Sequence, residues 1–225
     1  MDITITDLSL LRLMQLTSPA LPVGGFSFSQ GLEYAIEANW VTTEKHVEDW
    51  LQQQLNLSLA SLDVPVLMAV MEALMNDDQP RVLRLNDFSL ACRETAELRL
   101  TETAMGDALR RLLTSLAVPQ PFIAGDTCSF VVLFAVAAQH WQVEKRACAL
   151  GFLWAWLENQ MTAATKLVPL GQTQAQQLLG RIQQYIPGVI ERAESLPESQ
   201  WGLGLPGLAM ASSLHELQYS RLFRS

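Results

Sequence analysis

Residues 147–176 read ACALGFLWAWLENQMTAATKLVPLGQTQAQ, and between Arg146 and Lys166 this stretch carries one charge, Glu158. A helix that is apolar on every face is stable only when other elements surround it, so the segment predicts an axial helix at the centre of a helical bundle. Its unbroken apolar run, Ala147 to Leu157, falls well short of the roughly 18 residues needed to cross a bilayer. A buried core helix is expected, and no membrane span. At its far end a lone cation, Lys166, meets a break at Pro169 and Gly171, which puts that helix end at a surface.

The flanking sequence reads as a jacket of further helices. Asp7 to Leu16 has a short apolar stripe and stops at Ser18-Pro19, because the residue before a proline is pushed out of the helical region. Gln30 to Ala38 resumes at helical spacing, and Thr42 or Thr43 can cap the next helix, whose stripe is Val47, Trp50, Leu51 and Leu55. Ser61 or Asp63 is expected to cap a methionine-rich helix that carries Pro65 in its first turn and Met68, Met71 and Met75 along its length. Pro80 to about Leu100 is read as one long helix, followed by another from Thr103 to Leu116. Residues 117–127 form a mid-chain loop, but the apolar run from Cys128 to Ala138 needs burial by both halves, so the loop is not a domain boundary. Beyond the axial helix, Pro187-Gly188 is expected to break or kink a helix that starts near Thr173. No convincing period-two run appears. The expected fold is all-α: a single domain over residues 1–225, a bundle of about nine or ten helices around the central apolar one, with an interaction-prone tail at about 215–225.

Hydrophobic residues make up 49% of the chain and charged residues 17%. So apolar a surface suggests that partners cover some of it. The methionine-rich and tryptophan-bearing helices are candidate dimer surfaces. A net charge of −8 argues against nucleic acid as a partner. Three widely separated cysteines in apolar context read as free buried thiols in a reducing compartment, and the acidic N-terminus does not resemble a secretory leader, so a cytoplasmic protein is expected.

Catalytic chemistry is hard to place. The chain has no phosphate-binding glycine loop, no dinucleotide fingerprint, no H-E-x-x-H and no G-x-S-x-G. His46, His140 and His215 lack ligand-spaced partners, Ser27 and Ser29 lack a nearby base, and the methionines read as adaptable core, so neither a metal centre nor a cofactor is expected. Glu158 is the one plausible buried carboxylate by sequence, and Arg93 and Glu97, four apart, read as a solvated surface pair.

Three stretches resemble the signature segments of one family. They are Ser18-Pro-x-Leu-Pro-x-Gly-Gly-Phe-Ser-x-Ser-x-Gly-Leu-Glu33, Thr165-Lys-Leu-Val-Pro-Leu-Gly-Gln-Thr173, and the tail His215-Glu-x-x-x-Ser-Arg-Leu-Phe-Arg-Ser225. Together they are similar to the urease accessory proteins of the UreF family in order and spacing. Ala175 stands where many members have glycine, and the Cys128 to His140 segment lacks a glycine often found there; both are packing positions. The resemblance implies an all-helical, dimeric adaptor without catalysis established in its own right. It would bind UreD (also called UreH) and recruit the GTPase UreG to deliver nickel to the urease apoprotein.

On that reading the partner-binding residues are Pro22, Gly24, Gly25, Phe26 and Ser27 of the loop, Lys166, and His215, Glu216, Tyr219, Arg221, Leu222, Phe223 and Arg224 of the tail. The tail alternates cations with large apolar groups, is expected to be disordered until bound, and is assigned to UreD. The loop is assigned to UreG. Lys166 carries two readings, a partner for the helix dipole or a contact to the GTPase. The competing functions are an apolar-ligand-binding protein, a cryptic hydrolase, or a direct GTPase activator that inserts Arg221, Arg224 or Lys166 at the phosphates.

Overall fold

In the computed structural model, which describes residues 6–225, every regular element is helical. The first five residues, part of the segment read for a leader, lie outside the described residues. In order the helices are α1 (Asp7–Leu16), α2 (Leu32–Glu37), α3 (Glu44–Gln53), α4 (Asp63–Met75), α5 (Gln79–Ala91), α6 (Ala96–Ser115), α7 (Phe130–His140), α8 (Lys145–Leu167), α9 (Gln172–Ile182), α10 (Ile186–Ser195) and α11 (Pro206–His215). A π-helical stretch, Gln54–Leu59, continues α3 toward α4.

The axial segment is α8, the longest helix, which packs against α1, α2, α3, α4, α7, α9 and α10. Complete enclosure belongs to two shorter helices. In α7 every residue from Val131 to Ala138 is buried, and in α4 the run Asp63–Met71 is. α8 keeps Trp154, Trp156 and Glu158 half-buried, because its ring of neighbours opens on one side. Phe134 of α7 meets Phe130 and Phe152 edge to face, at centroid distances of 6.0 and 5.4 Å, Phe130 and Phe152 lie tilted at 6.2 Å, and these rings join α7 to α8. Burying each such ring contributes about 1.5–3 kcal/mol.

The run Glu44–Met75 is long and apolar enough to cross a bilayer, but 78% of its most apolar window is buried inside the protein, as a core helix requires. The methionine-rich helix therefore offers almost no face to a second copy: Met68 and Met71 are core, and only Met75 is strongly exposed.

Several boundaries depart from expectation. The long helix from Pro80 is interrupted after Ala91, since Thr95 takes extended backbone and accepts the Leu98 amide, starting α6. Neither Ser61 nor Asp63 caps α4. Ser61 Oγ donates to the Leu57 and Leu203 carbonyls, and Asp63 is held by Arg93. Pro187 opens α10 rather than ending α9, after a 3₁₀ turn at Gln183–Tyr185. Proline suits a first helical turn, where its missing N–H has no partner to lose.

Helix α6 crosses the segment leading into α7 at Gly106, where a Cβ would lie 2.1 Å from the Cys128 carbonyl oxygen. Gly106→Ala is therefore expected to force the two segments apart and lower stability by about 1–3 kcal/mol. Gly180→Ala, in the open on α9, should be stabilising by about 0.5–1 kcal/mol. Thermal denaturation of the two variants checks both signs.

Candidate functional site

The loop between α1 and α2 is shaped by backbone that few side chains tolerate. Gly24 and Gly31 sit at φ +74° and +79°, in the left-handed region. Between them a single 3₁₀ turn, Gly25–Ser27, lies against α8 so closely that a Cβ on Gly25 would come 2.9 Å from Asn159 Nδ2. The turn splits the two aromatic residues. Phe28 enters the core, while Phe26 is 59% exposed. Trp156 Nε1 of α8 donates to Gln30 Oε1 at 3.0 Å, and the chain then enters α2, whose second residue is Glu33.

The tail leaves α11 after His215 and runs back across this loop. The amides of Ser29 and Gln30 donate to the Ser225 carbonyl oxygen at 2.5 and 3.2 Å, and the Arg224 amide donates to the Ser27 carbonyl at 2.8 Å. The hydroxyls of Thr101 and Ser225 are 2.5 Å apart. Phe223 is buried under the ammonium of Lys166, 5.5 Å from its ring centroid, and the Arg224 guanidinium lies 5.7 Å from that of Phe28. All three sequence stretches thus meet at one place. The tail, expected to be free until bound, is packed against the body because its backbone polar groups find partners there and Phe223 finds a seat.

Two carboxylates hold the tail from beneath. Glu33, only 6% exposed, accepts the Leu222 amide at 2.7 Å and the Phe223 amide at 2.9 Å, and its Oε2 lies 3.0 Å from His215 Nε2. Glu97 of α6 faces the other ring nitrogen, with Oε2 and Oε1 at 2.8 and 3.0 Å from His215 Nδ1. Arg221 Nη1 donates to Glu97 Oε1 at 3.1 Å. Burial pushes the Glu97 carboxyl upward, and His215 and Arg221 pull it back.

Of the expected partner-binding residues, Pro22, Phe26, Lys166, Glu216, Tyr219, Arg221, Leu222 and Arg224 are exposed, and Gly24 and Ser27 are half-buried. Gly25, His215 and Phe223 face inward and cannot touch a partner while the tail is docked. Lys166 does stand in the last turn of α8, where it faces the negative end of the dipole, yet its nearest aromatic neighbour is the tail.

Sequence reasoning missed Glu33 and Glu97. Glu97 was read as the surface partner of Arg93, but the break before α6 separates them. A signal for Glu33 existed: it closes the Gly-Leu-Glu of the loop motif.

A second buried cluster replaces the expected role of Glu158 as the buried acid. Arg93 Nη2 lies 2.6 Å from Asp63 and 3.0 Å from Glu102, whose Oε1 accepts from Ser129 Oγ and the Val131 amide at 2.5 and 2.9 Å. Burial drives Asp63 upward, and the two carboxylates hold Arg93 above its ordinary value despite burial. This cluster ties α4 and α6 to the start of α7 beside a partly open cavity of about 100 Å³. It holds no nucleophile paired with a base, so its chemistry is that of a structural tie. Among the described residues no group of three or more His, Cys, Asp or Glu side chains could hold a metal ion, and the three cysteines are free.

A family model described as UreF matches residues 41–183. The chain is 56% identical over 224 residues to the urease accessory protein UreF of Marinomonas sp. (strain MWYL1), covering 100% of this chain and 97% of that protein. It is 49% identical to the protein of the same name from Pseudomonas putida (strain W619), over 98% and 99% of the two chains. With that of Alkalilimnicola ehrlichii it shares 45% identity over 95% of each.

Removing the Glu33 carboxylate would leave His215 and two tail amides without their acceptor. Glu33→Ala is expected to cost about 3–5 kcal/mol, the range for a broken buried ion pair, and to release residues 216–225 to protease before the body unfolds. Limited proteolysis alongside thermal denaturation measures both effects.

Proposed function

Because this chain belongs to the UreF family of urease accessory proteins, we propose that it serves urease maturation as a non-catalytic, cytoplasmic adaptor. It binds UreD (UreH) through its tail and recruits UreG through the loop, so that nickel, the cargo, reaches the urease apoprotein. The observation that carries this reading is the division of the tail into two faces. His215, Phe223 and Ser225 anchor it, while Leu217, Tyr219 and Leu222 are 81%, 105% and 64% exposed. Apolar and aromatic groups on an ordered backbone are suitable interface anchors, since the ordering entropy is already spent. Phe26, 59% exposed beside the docked tail, extends the same surface toward the loop.

Of the competing readings, direct GTPase activation gains nothing from the geometry. A direct GTPase activator needs a free cation to insert, yet Arg221 is engaged by Glu97, and Arg224 and Lys166 lie over aromatic rings. The cavity is lined by apolar side chains such as Leu16, Leu62, Met105 and Phe152 but also by Asp63, Arg93 and Glu102, so any occupant would have to be polar in part. The proposal includes a homodimer. The exposed Leu8, Leu11 and Met14 of α1 are apolar surface that an assembly would cover.

The double substitution Tyr219→Ala and Leu222→Ala is expected to reduce UreD co-purification at least about tenfold, the effect of losing roughly 1.4 kcal/mol or more at an interface. Its melting temperature should match that of the parent chain, because both side chains are exposed. Undiminished capture of UreD by a folded double variant would refute the assignment of the tail.

A further inference from the structure

The arrangement around His215 constrains its protonation. The imidazole is fully enclosed, and each ring nitrogen faces a carboxylate, Nε2 toward Glu33 at 3.0 Å and Nδ1 toward Glu97 at 2.8 and 3.0 Å. A neutral imidazole has one N–H and one bare nitrogen. One of its two carboxylate contacts would then set a lone pair against oxygen unless that acid were protonated.

Of the two glutamates only Glu97 is placed to supply that proton, through Oε2. Glu33 already accepts the Leu222 and Phe223 amides, one on each oxygen. Glu97 meets Nδ1 with both of its oxygens, and one of them also takes Arg221. Two carboxylates, Glu33 on α2 and Glu97 on α6, face Arg221 of the tail and His215 of α11. The other carboxylate acting on Glu97 is Glu216, out in solvent. The buried cluster is electrically balanced only when it keeps this proton, and Arg221, bonded to Glu97 Oε1, favours the arrangement that leaves Glu97 ionised and the proton on His215.

We propose that His215 is a buried imidazolium that clamps the tail: its second proton holds Glu33 and Glu97 together, and loss of that proton frees residues 216–225. Glu33 is the linking element, since the same carboxylate binds the imidazole and the two tail amides. Once the ring is neutral, two buried acids face a single guanidinium, and the least expensive relief is to let the tail and water in. His215 is thus a positioning residue. It contacts no partner, but it sets how Tyr219 and Leu222 are displayed. The inference deepens the docking role proposed above and rests on it only for its biological meaning. The clamp itself is a property of the isolated chain.

The sign follows from the chemistry. An imidazolium held between two carboxylates contributes its share while it keeps both protons and loses it when the second proton leaves. In the full-length chain labelled with ¹⁵N-histidine, both ring nitrogens of His215 are expected to carry protons at neutral pH. On alkaline titration of that ring, amide-exchange protection factors of Leu222 and Phe223, corrected for intrinsic exchange, should fall about tenfold or more. A bare ring nitrogen at neutral pH, or protection that does not follow the titration, overturns the clamp.

His215→Gln should lose the same protection, and adding Glu97→Gln, which restores charge balance, should recover it. A folded double variant with no recovery would leave only a packing role for His215 and would likewise defeat the inference. None of these readouts uses UreD. Failure of the Tyr219 and Leu222 variants to disturb UreD capture would therefore sink the docking role while leaving the clamp intact.

Discussion

A histidine enclosed between two enclosed glutamates can persist only if every lone pair and every proton finds a counterpart. Here that demand is met by four elements distant in the chain: α2 with Glu33, α6 with Glu97, α11 with His215, and the tail with Arg221 and its own amides. Taking these charges out of water is expensive, and the geometry must be good for their mutual attraction to offset it. The cluster therefore specifies an arrangement more than it adds stability. The tail lies along one path because only that path brings Leu222 and Phe223 onto the Glu33 oxygens.

The apolar body makes this possible by being rigid. α4 and α7 are enclosed on almost every face, and α8 spans the bundle beside them. Interiors packed at crystal-like density do not deform to suit a mispaired charge. The Asp63, Arg93 and Glu102 cluster ties α6 to this body further along that helix, and its carboxylate at Glu102 also receives the Val131 amide in the first turn of α7. The helix that presents Glu97 to His215 is thereby anchored. A chain with a net charge of −8 places two of its buried acids where they organise cations, and this accounts for how so acidic a protein keeps an ordered, arginine-bearing end.

Function of the adaptor kind asks for a surface that is apolar enough to bind and ordered enough to bind without a large entropic penalty. A loose tail would satisfy the first requirement alone. Docking Phe223 beneath Lys166 and Arg224 across Phe28 orders the backbone, while Tyr219, Leu222 and Phe26 stay in water. Of the cations that look like catalytic fingers in the sequence, Lys166 and Arg224 lie over aromatic rings and Arg221 pairs with Glu97.

The all-helical class and the largely buried character of residues 128–138 and 147–157 were determined by composition and periodicity, because an apolar helix too short to span a bilayer is stable only when other elements surround it. The odd stretches, Ser18–Glu33, Thr165–Thr173 and His215–Ser225, were likewise legible as departures from helical pattern. What folding alone decided is which charges pair. Arg93 stands four residues from Glu97, a spacing that predicts a surface pair, yet one break at Thr95 rotates them apart and sends Arg93 to Asp63 and Glu102. Glu97 goes to His215, across more than a hundred residues of chain. Local spacing governs short-range contacts within one helix, whereas ion pairs between helices depend on how whole elements cross, and no window of sequence contains that crossing.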